Sequence, residues 1–278
     1  MKVKFHNKTR TSPSIPLKLL KDAKWYLIPV YYFLSLSDLA REGFTHSGSY
    51  RFADHIYQAV PQGRYGAGKI LDAVLLSLPS ARSFRNRHFH TRDKVVEKLQ
   101  ELGHRELLNV LTVPSGIPRN LYEAAEILQN NYPSIHNKTV FHCLDLDKNL
   151  INTLQKEFKT KKMAHQFVFH RGDALKKKDY PTRLDIVVST GLGEFLSDGT
   201  LLQFYKICYD TLRQGGYLIT SATDEHKLSD YLMRNIGELY AFYRSENKIR
   251  QLLKKIPFSQ IETYKDSVGL QTLIVAKK

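Results

Sequence analysis

The chain has 278 residues, enough for one large domain or for a domain with an extension. Its two cysteines, Cys143 and Cys208, make neither a disulfide framework nor a metal-ligand spacing, and read as reduced core residues of a cytoplasmic protein. The net charge of +15 is uneven: residues 1–104 hold 17 basic against 8 acidic residues and the remainder 25 against 19, a field that favours nucleic acid, an anionic bilayer surface or an acidic small molecule.

The start, Met1 to Lys8, is basic, and no apolar segment with a small-residue cleavage site follows it directly, so no signal peptide is expected. Leu17 to Arg41 reads as one long helix or one kinked at Pro29, since proline inside a helical pattern bends or breaks it. It carries Trp25, Tyr26, Tyr31, Tyr32 and Phe33, which fit a lid over an apolar substrate, an interfacial membrane contact or packing onto the main domain. Its most apolar part, Trp25 to Leu36, is well short of the ~20 residues that a membrane span requires.

Arg41 to Asp72 reads as an irregular, glycine-rich stretch bearing Tyr50, Arg51, His55, Tyr57 and Arg64, and loops this rich in polar and aromatic groups often serve a site. Pro79 opens a helix running to about Leu102, with Arg85 and Arg92 on one face. Nothing nearby completes a metal site around His88 and His90, so both are read as helix-surface residues and no metal is expected.

From Leu107 the pattern changes to strands. Leu107 to Val113 is a short apolar run of the buried parallel type, and Asn120 to Leu128 follows with apolar residues at helical spacing. Ser115 and Gly116 sit at the junction, where a turn exposes backbone N–H groups and the positive end of a helix to a ligand. A second strand, Thr139 to Leu144, ends in Asp145, whose carboxylate can accept both hydrogen bonds of a ribose diol. Together these read as a nucleoside-cofactor site. A third strand, from Phe167, ends at Asp173 and Ala174, and a fourth, from Leu184, opens into a loop holding Ser189, Thr190, Gly191 and Glu194. The lysine runs at 156–162 and 176–178 read as solvated surface. After a helix over Leu201 to Leu212 comes a fifth strand, Gly215 to Ser221. Ser259 to Tyr264 and Leu270 to Ala276 are joined by too short a turn for a parallel return, so they form an antiparallel hairpin.

This order resembles class I S-adenosylmethionine-dependent methyltransferases from about Glu106 to Lys278. The resemblance implies an α/β fold: a seven-stranded, doubly wound, Rossmann-like sheet with a terminal antiparallel hairpin, preceded by a helical amino-terminal extension. The expected division is a helical extension or lid over 1–104 and a cofactor-binding domain over 105–278. By the same match Val113, Pro114, Ser115, Gly116 and Ile117 wrap the methionine part of the cofactor. Asp145, with Leu146 beside it, holds the ribose. Asp173 and Ala174 meet the adenine, and Ser189, Thr190 and Gly191 line the reactive end. The first loop carries fewer glycines than the family's common pattern.

The segments Gly43 to Tyr57, Gly68 to Asp72 and Arg82 to Arg87 resemble the amino-terminal region of a bacterial group that includes 3-hydroxypalmitic acid methyl ester synthases. With that group the match runs from about Phe33 onward, and it implies methylation of a fatty-acid carboxylate to a diffusible signal.

Methyl transfer from a sulfonium is an in-line displacement, in which a protein mainly aligns the partners and excludes water. A carboxylate acceptor is already ionised at neutral pH and needs no base, whereas an amine or alcohol would want one. Glu194 and His55 are the candidate bases. Arg51, Arg85, Arg87 and Arg244 are candidate carboxylate clamps, since guanidinium forks match that geometry. Arg87 is also a candidate for the cofactor's own carboxylate, and Tyr50, Arg51 and Tyr57 are expected to face the methyl group. An acyl chain would lie against Tyr26, Tyr31, Phe33, Tyr50, Phe52 and Tyr57, with Leu239, Tyr240, Phe242 and Tyr243 from a late helix. The partner is then a lipid-like acid, with peripheral membrane contact through the amino-terminal helix open. A nucleic-acid or protein methyltransferase is the alternative, favoured by charge but lacking the Asn/Asp-Pro-Pro-Tyr type of sequence after the fourth strand. A non-catalytic cofactor-binding protein on the same fold is the third reading.

Overall fold

A computed structural model describes residues 14–46, 48–161 and 163–278; the basic start, Ser47 and Lys162 lie outside them. The chain opens with helices α1 (Ile15–Lys21), α2 (Ile28–Leu34), α3 (Asp38–Thr45), α4 (Tyr50–Gln58), α5 (Ala67–Ser77) and α6 (Pro79–Glu101). Then follow β1 (Leu108–Thr112), α7 (Arg119–Asn131), α8 (Pro133–His136), β2 (Thr139–Asp145), α9 (Lys148–Phe158), β3 (Phe167–Arg171), β4 (Leu184–Ser189), α10 (Asp198–Thr211) and β5 (Leu212–Thr223). Helices α11 (Lys227–Asn235) and α12 (Glu246–Leu253) precede the hairpin of β6 (Gln260–Lys265) and β7 (Gln271–Lys277).

Two compact units emerge. The first holds the described residues up to Asn86 with Asp224–Phe242 and Ser267–Leu270; the second holds Arg87–Thr223, Tyr243–Asp266 and Gln271–Lys278. The boundary falls inside α6, so the units divide differently from 1–104 and 105–278. The physical reason is that the later half of α6 is bonded to the sheet: Glu101 accepts from the Tyr217 hydroxyl at 2.6 Å, and Lys94 lies 4.0 Å from the Tyr264 ring.

In the first unit, the segment expected as one helix is three. Pro16 and Pro29 each sit in a first turn, where a missing N–H costs nothing, so Pro29 starts α2 and kinks no helix. Between α1 and α2 the chain reverses through Ala23, which has φ +55°. The stretch expected to be irregular is also helical, because Ser37 caps α3 through the Ala40 N–H and Ser49 caps α4 through the Phe52 N–H. The unit's apolar core gathers Ile15, Leu19, Leu27, Phe44 and Ile236. Beside it lies a polar hub. Asp72, fully buried, accepts from the Ser37 hydroxyl, from Leu39 N at 3.0 Å and from Gln62 N at 2.9 Å. A Cβ on Gly68 would strike the Leu36 carbonyl, so glycine is what lets α5 approach close enough to present Asp72.

In the second unit one seven-stranded sheet runs β3-β2-β1-β4-β5-β7-β6. β1 to β5 pair in parallel and β7 lies antiparallel between β5 and β6, as the terminal hairpin predicts. β1 and β4 are buried at every position, as central strands covered on both faces must be. Chain order reverses at β1, and right-handed crossovers therefore put α9 and α10 on opposite faces. Cys143 and Cys208 are buried free thiols whose pKa values burial pushes up. His88 is buried and 2.9 Å from Glu123, a correction to its reading as a surface residue. Among the described residues no helix is long and apolar enough to cross a membrane, and no three potential ligand side chains cluster around a metal position.

Across β1, β2 and β3, one sheet face carries a histidine relay. His142 Nδ1 lies 3.0 Å from His170 Nε2, and His142 Nε2 lies 3.2 Å from Asn109 Oδ1. Burial, then His170, pushes the His142 pKa down to about 4. The folded chain thus binds this proton more weakly than the unfolded chain. Its contribution is complete above about pH 6.5 and is lost as pH falls towards about 4, a change on the order of 2 kcal/mol. Chemical denaturation at several pH values should show that loss, and His142→Gln should flatten it; identical profiles for the two proteins would remove His142 as the cause.

Candidate active site

The reversal of strand order leaves a crevice at the carboxyl ends of β1 and β4, the place where open α/β sheets bind ligands. The loop after β1 is stitched to both neighbours: Val113 N donates to Val188 O at 2.9 Å, and Ser115 N to Leu144 O at 2.9 Å. Gly116 has φ +50°, a left-handed conformation that glycine adopts without strain. Its N–H donates to Asp145 Oδ2 at 3.0 Å, while Asp147 N donates to Asp145 Oδ1 at 3.0 Å. Each carboxylate oxygen so oriented keeps a further acceptor position, which is the requirement for taking a vicinal diol. Burial raises the Asp145 pKa, partly offset by the N–H groups of Asp147 and Gly116. Leu146 beside it is exposed, and Asp147 caps α9 through Asn149 N and Leu150 N.

Asp173 follows β3 in a tight turn. Its N–H donates to Asp179 Oδ2 at 2.9 Å, and its Oδ1 accepts from Leu175 N at 2.9 Å. The Ala174 carbonyl accepts from the buried Tyr180 hydroxyl at 2.6 Å. Both residues are held by local bonds at the same sheet edge as Asp145, whose carbonyl accepts from Gly172 N at 2.9 Å.

After β4, Ser189 is buried and its hydroxyl has no hydrogen-bond partner among the described residues. A buried hydroxyl left open at a ligand edge suits a polar ligand, because desolvating it otherwise costs ~1–3 kcal/mol. Thr190 is half-buried, and Gly191 has φ +96° with its missing Cβ position 3.6 Å from the Arg87 guanidinium.

Glu194 and Arg87, expected to act separately as a base and as a carboxylate ligand, are partners. Arg87 Nη1 donates to Glu194 Oε1 at 2.8 Å, and the Thr223 hydroxyl donates to the same oxygen. Both side chains are nearly buried, at 4% and 10% exposure, so the pair anchors the loop from Gly191 to Glu194. Arg244, expected as an acceptor clamp, is occupied within the protein. It donates to Gly193 O at 2.6 Å, to Leu196 O and to Asp198 at 2.9 Å, which fastens the next turn of the same loop. Tyr243 is half-buried beside it, and Ile236 to Arg244 contains no helix, a correction to the late helix expected there.

The remaining expected residues belong to the first unit. Tyr50, Arg51, His55 and Tyr57 all lie on α4, with Arg51 exposed and the others half-buried. Arg51 and His55 line a polar cleft of about 430 Å³ with Arg41, Glu42 and Gln62. His55 Nε2 lies 3.1 Å from Asp72 Oδ2. Arg85 donates to Leu76 O at 2.8 Å. The sequence reading missed Asp72 as the organiser of this cleft and Thr223 as a partner of Glu194. A single acid in the middle of the largely apolar α5 was the one signal for Asp72, and the Thr223 bond joins residues too far apart in sequence to leave any.

With this geometry in place, comparison with known proteins places the chain. Residues 36–278 match the family model Methyltransf_20, described as "Putative methyltransferase", and the chain belongs to that family. No curated protein matches the sequence. Among solved structures it is similar to a "possible exported protein" from Bordetella parapertussis, with TM-score 0.76, 20% identity, and coverage of 95% of this chain and 93% of that one. Magnesium protoporphyrin IX methyltransferase from Synechocystis PCC 6803, solved with bound SAH, gives TM-score 0.55 and 15% identity over 81% and 93%. The pyocyanin biosynthetic protein PhzM gives 0.54 and 16% over 100% and 74%. At these identities the likeness establishes a shared methyltransferase fold.

The ion pair yields a direct test of what Glu194 does. Glu194→Gln keeps an acceptor for Arg87 and Thr223 but removes the negative charge facing a buried guanidinium, and should cost about 3 kcal/mol in chemical denaturation. Unchanged stability with lost turnover would return Glu194 to the role of base.

Proposed function

We propose that the chain transfers a methyl group from S-adenosylmethionine to the carboxylate of an apolar acid, with a 3-hydroxy fatty acid as the first candidate and a methyl ester as the product. The observation that carries the cofactor assignment is Asp145, half-buried at the end of β2 with both oxygens aimed by backbone N–H groups. The open Ser189 hydroxyl supports it, as does the binding of SAH by the Synechocystis neighbour. In this reading Asp145 takes the ribose diol, the loop from Val113 to Ile117 lies along the methionine part, Asp173 and Ala174 border the adenine, and Ser189 to Gly191 border the sulfur. When bound, the cofactor supplies an electrophilic methyl on a positively charged sulfur.

The acceptor assignment rests on what the protein offers around it. Glu194, the acid just after β4, has its Oε1 bonded to Arg87 and Thr223, and a carboxylate paired with a buried guanidinium is a poor base. A carboxylate nucleophile needs no proton taken away. Arg51, in a polar cleft where Arg41 is paired with Asp38, offers a guanidinium for an acidic head group, and Tyr50 and Tyr57 on α4 offer apolar surface with hydroxyl tips. The resemblance of the Gly43 to Tyr57 and Arg82 to Arg87 segments to the 3-hydroxypalmitic acid methyl ester synthase group points the same way.

Asp145→Ala should weaken cofactor binding by about 1.5–3 kcal/mol in calorimetry with the fold intact. Because burial raises the Asp145 pKa, affinity should fall on acidification at a pH above the usual carboxylate range near 4, and Asp145→Asn should abolish that limb. Unchanged affinity in Asp145→Ala would move the ribose site elsewhere.

With labelled cofactor and a 3-hydroxy fatty acid, the label should enter a base-labile ester extractable into organic solvent. Turnover should be level between about pH 6 and 8, since no base titrates there. Arg51→Ala should raise the KM for the acid and spare cofactor affinity. Label found in nucleic acid or protein and never in a lipid ester would contradict the acceptor; a rate that follows a histidine titration and vanishes in His55→Ala would point to an amine or hydroxyl acceptor.

A further inference from the structure

The start of the first unit is apolar on two faces. Inward, Ile15, Leu19 and Leu27 are buried in the core. Outward, Leu17 and Leu20 share the exposed side of α1 with Lys21, Trp25 in the turn after α1 is 66% exposed, and Tyr32 and Phe33 on α2 are each 60% exposed. A helix with a second apolar face normally buries it, and a contiguous exposed patch of this kind marks an interaction surface. The surface continues onto α11, because the Tyr26 hydroxyl lies 2.6 Å from the Tyr231 hydroxyl and Leu228, one turn away on α11, is 63% exposed. Tyr26 and Phe33, expected from the sequence to lie against an acyl chain, are among these exposed side chains.

We propose that the outward face of α1 and α2 docks on an anionic phospholipid bilayer surface. Charge decides between the occupants such a face can take. Among the described residues of α1 and the turn after it stand three lysines, Lys18, Lys21 and Lys24, against one acid, Asp22, which with Glu238 lies within 4 Å of Lys18 alone among them. Lys18 and Lys24 are fixed at the edge of the face by Asn235, the first through its carbonyl at 3.4 Å and the second through its side-chain oxygen. A second copy of the chain would bring two basic faces together. An anionic headgroup layer meets the same charges favourably, at roughly 1 kcal/mol per basic residue near the surface. Aromatic rings with polar tips, such as Trp25, Tyr26 and Tyr32, settle at the level of lipid headgroups, and leucine and phenylalanine reach past them into the acyl boundary. Among the described residues no helix is both long and apolar enough to cross a membrane, and the proposed association is interfacial.

The chain's single tryptophan, Trp25, is itself the probe. On titrating the full chain with phosphatidylcholine vesicles containing phosphatidylserine, its emission should shift to shorter wavelength and be quenched by brominated acyl chains, and added salt should weaken the effect. Pure phosphatidylcholine vesicles should give little change. The double variant Leu20→Ser, Phe33→Ser, whose side chains are exposed and should leave the thermal midpoint unchanged, should bind anionic vesicles about tenfold more weakly. No spectral shift, equal binding to neutral vesicles, or undiminished binding of the double variant would each overturn the proposal. So would a shift that grows with protein concentration in the absence of vesicles, which would assign the face to a second copy. The readout needs neither cofactor nor turnover, so its failure leaves the methyl-transfer reading standing.

Discussion

Asp145 ties together the three segments that make the crevice. One carboxylate oxygen holds the loop after β1 through Gly116 N, the other holds the turn into α9 through Asp147 N, and its carbonyl holds the end of β3 through Gly172 N. Desolvation makes such a carboxylate costly, and the N–H groups that offset the cost are also what aim it. The loop after β1 can therefore be short of glycine and still be shaped, because Asp145 supplies the restraint that a glycine-rich turn would otherwise supply through its backbone freedom.

The loop after β4 is held by a different device, buried charge. Arg87 from α6 and Thr223 from the end of β5 converge on Glu194, and Arg244 bonds two carbonyls and Asp198 in the following turn. Removing one partner from such an arrangement costs far more than the pair itself contributes, so these residues behave as fixtures of the loop. Asp185 repeats the principle at the opposite end of β4, where the fully buried carboxylate takes Asn109 N at 2.7 Å together with Arg105 and Arg213. Asp145 and Ser189, by contrast, keep hydrogen-bonding positions open.

The sheet was legible because its strands are short apolar runs with acids or glycines at their ends, a local signal that survives without partners. Thr139 to Leu144 lies within one residue of the observed β2, the fourth strand starts at Leu184 as read, and the brief link between the last two strands dictated a hairpin. The amino-terminal half was harder. Glycine there implied loops, yet Gly43 sits inside α3, where its missing Cβ position lies 3.0 Å from the Phe52 ring, and Gly68 lets α5 approach Leu36. Those glycines serve helix contacts that no local pattern encodes. His88 shows the same limit: His-x-His spacing says nothing of Glu123, thirty-five residues away, which accounts for its burial. For the site, residues at strand ends could be placed from sequence alone. The partners that occupy Arg87, Glu194 and Arg244 could not, because long-range ion pairs leave no periodic trace.

The decisive point is where a nucleoside cofactor meets the sheet. The most direct measurement is a crystal structure of the chain with S-adenosylhomocysteine. The ribose hydroxyls are expected on the two oxygens of Asp145, the adenine beside Asp173 and Ala174, and the sulfur near Ser189 to Gly191. A ribose bound away from Asp145, or a crevice that remains closed to the ligand at saturating concentration, would contradict that placement.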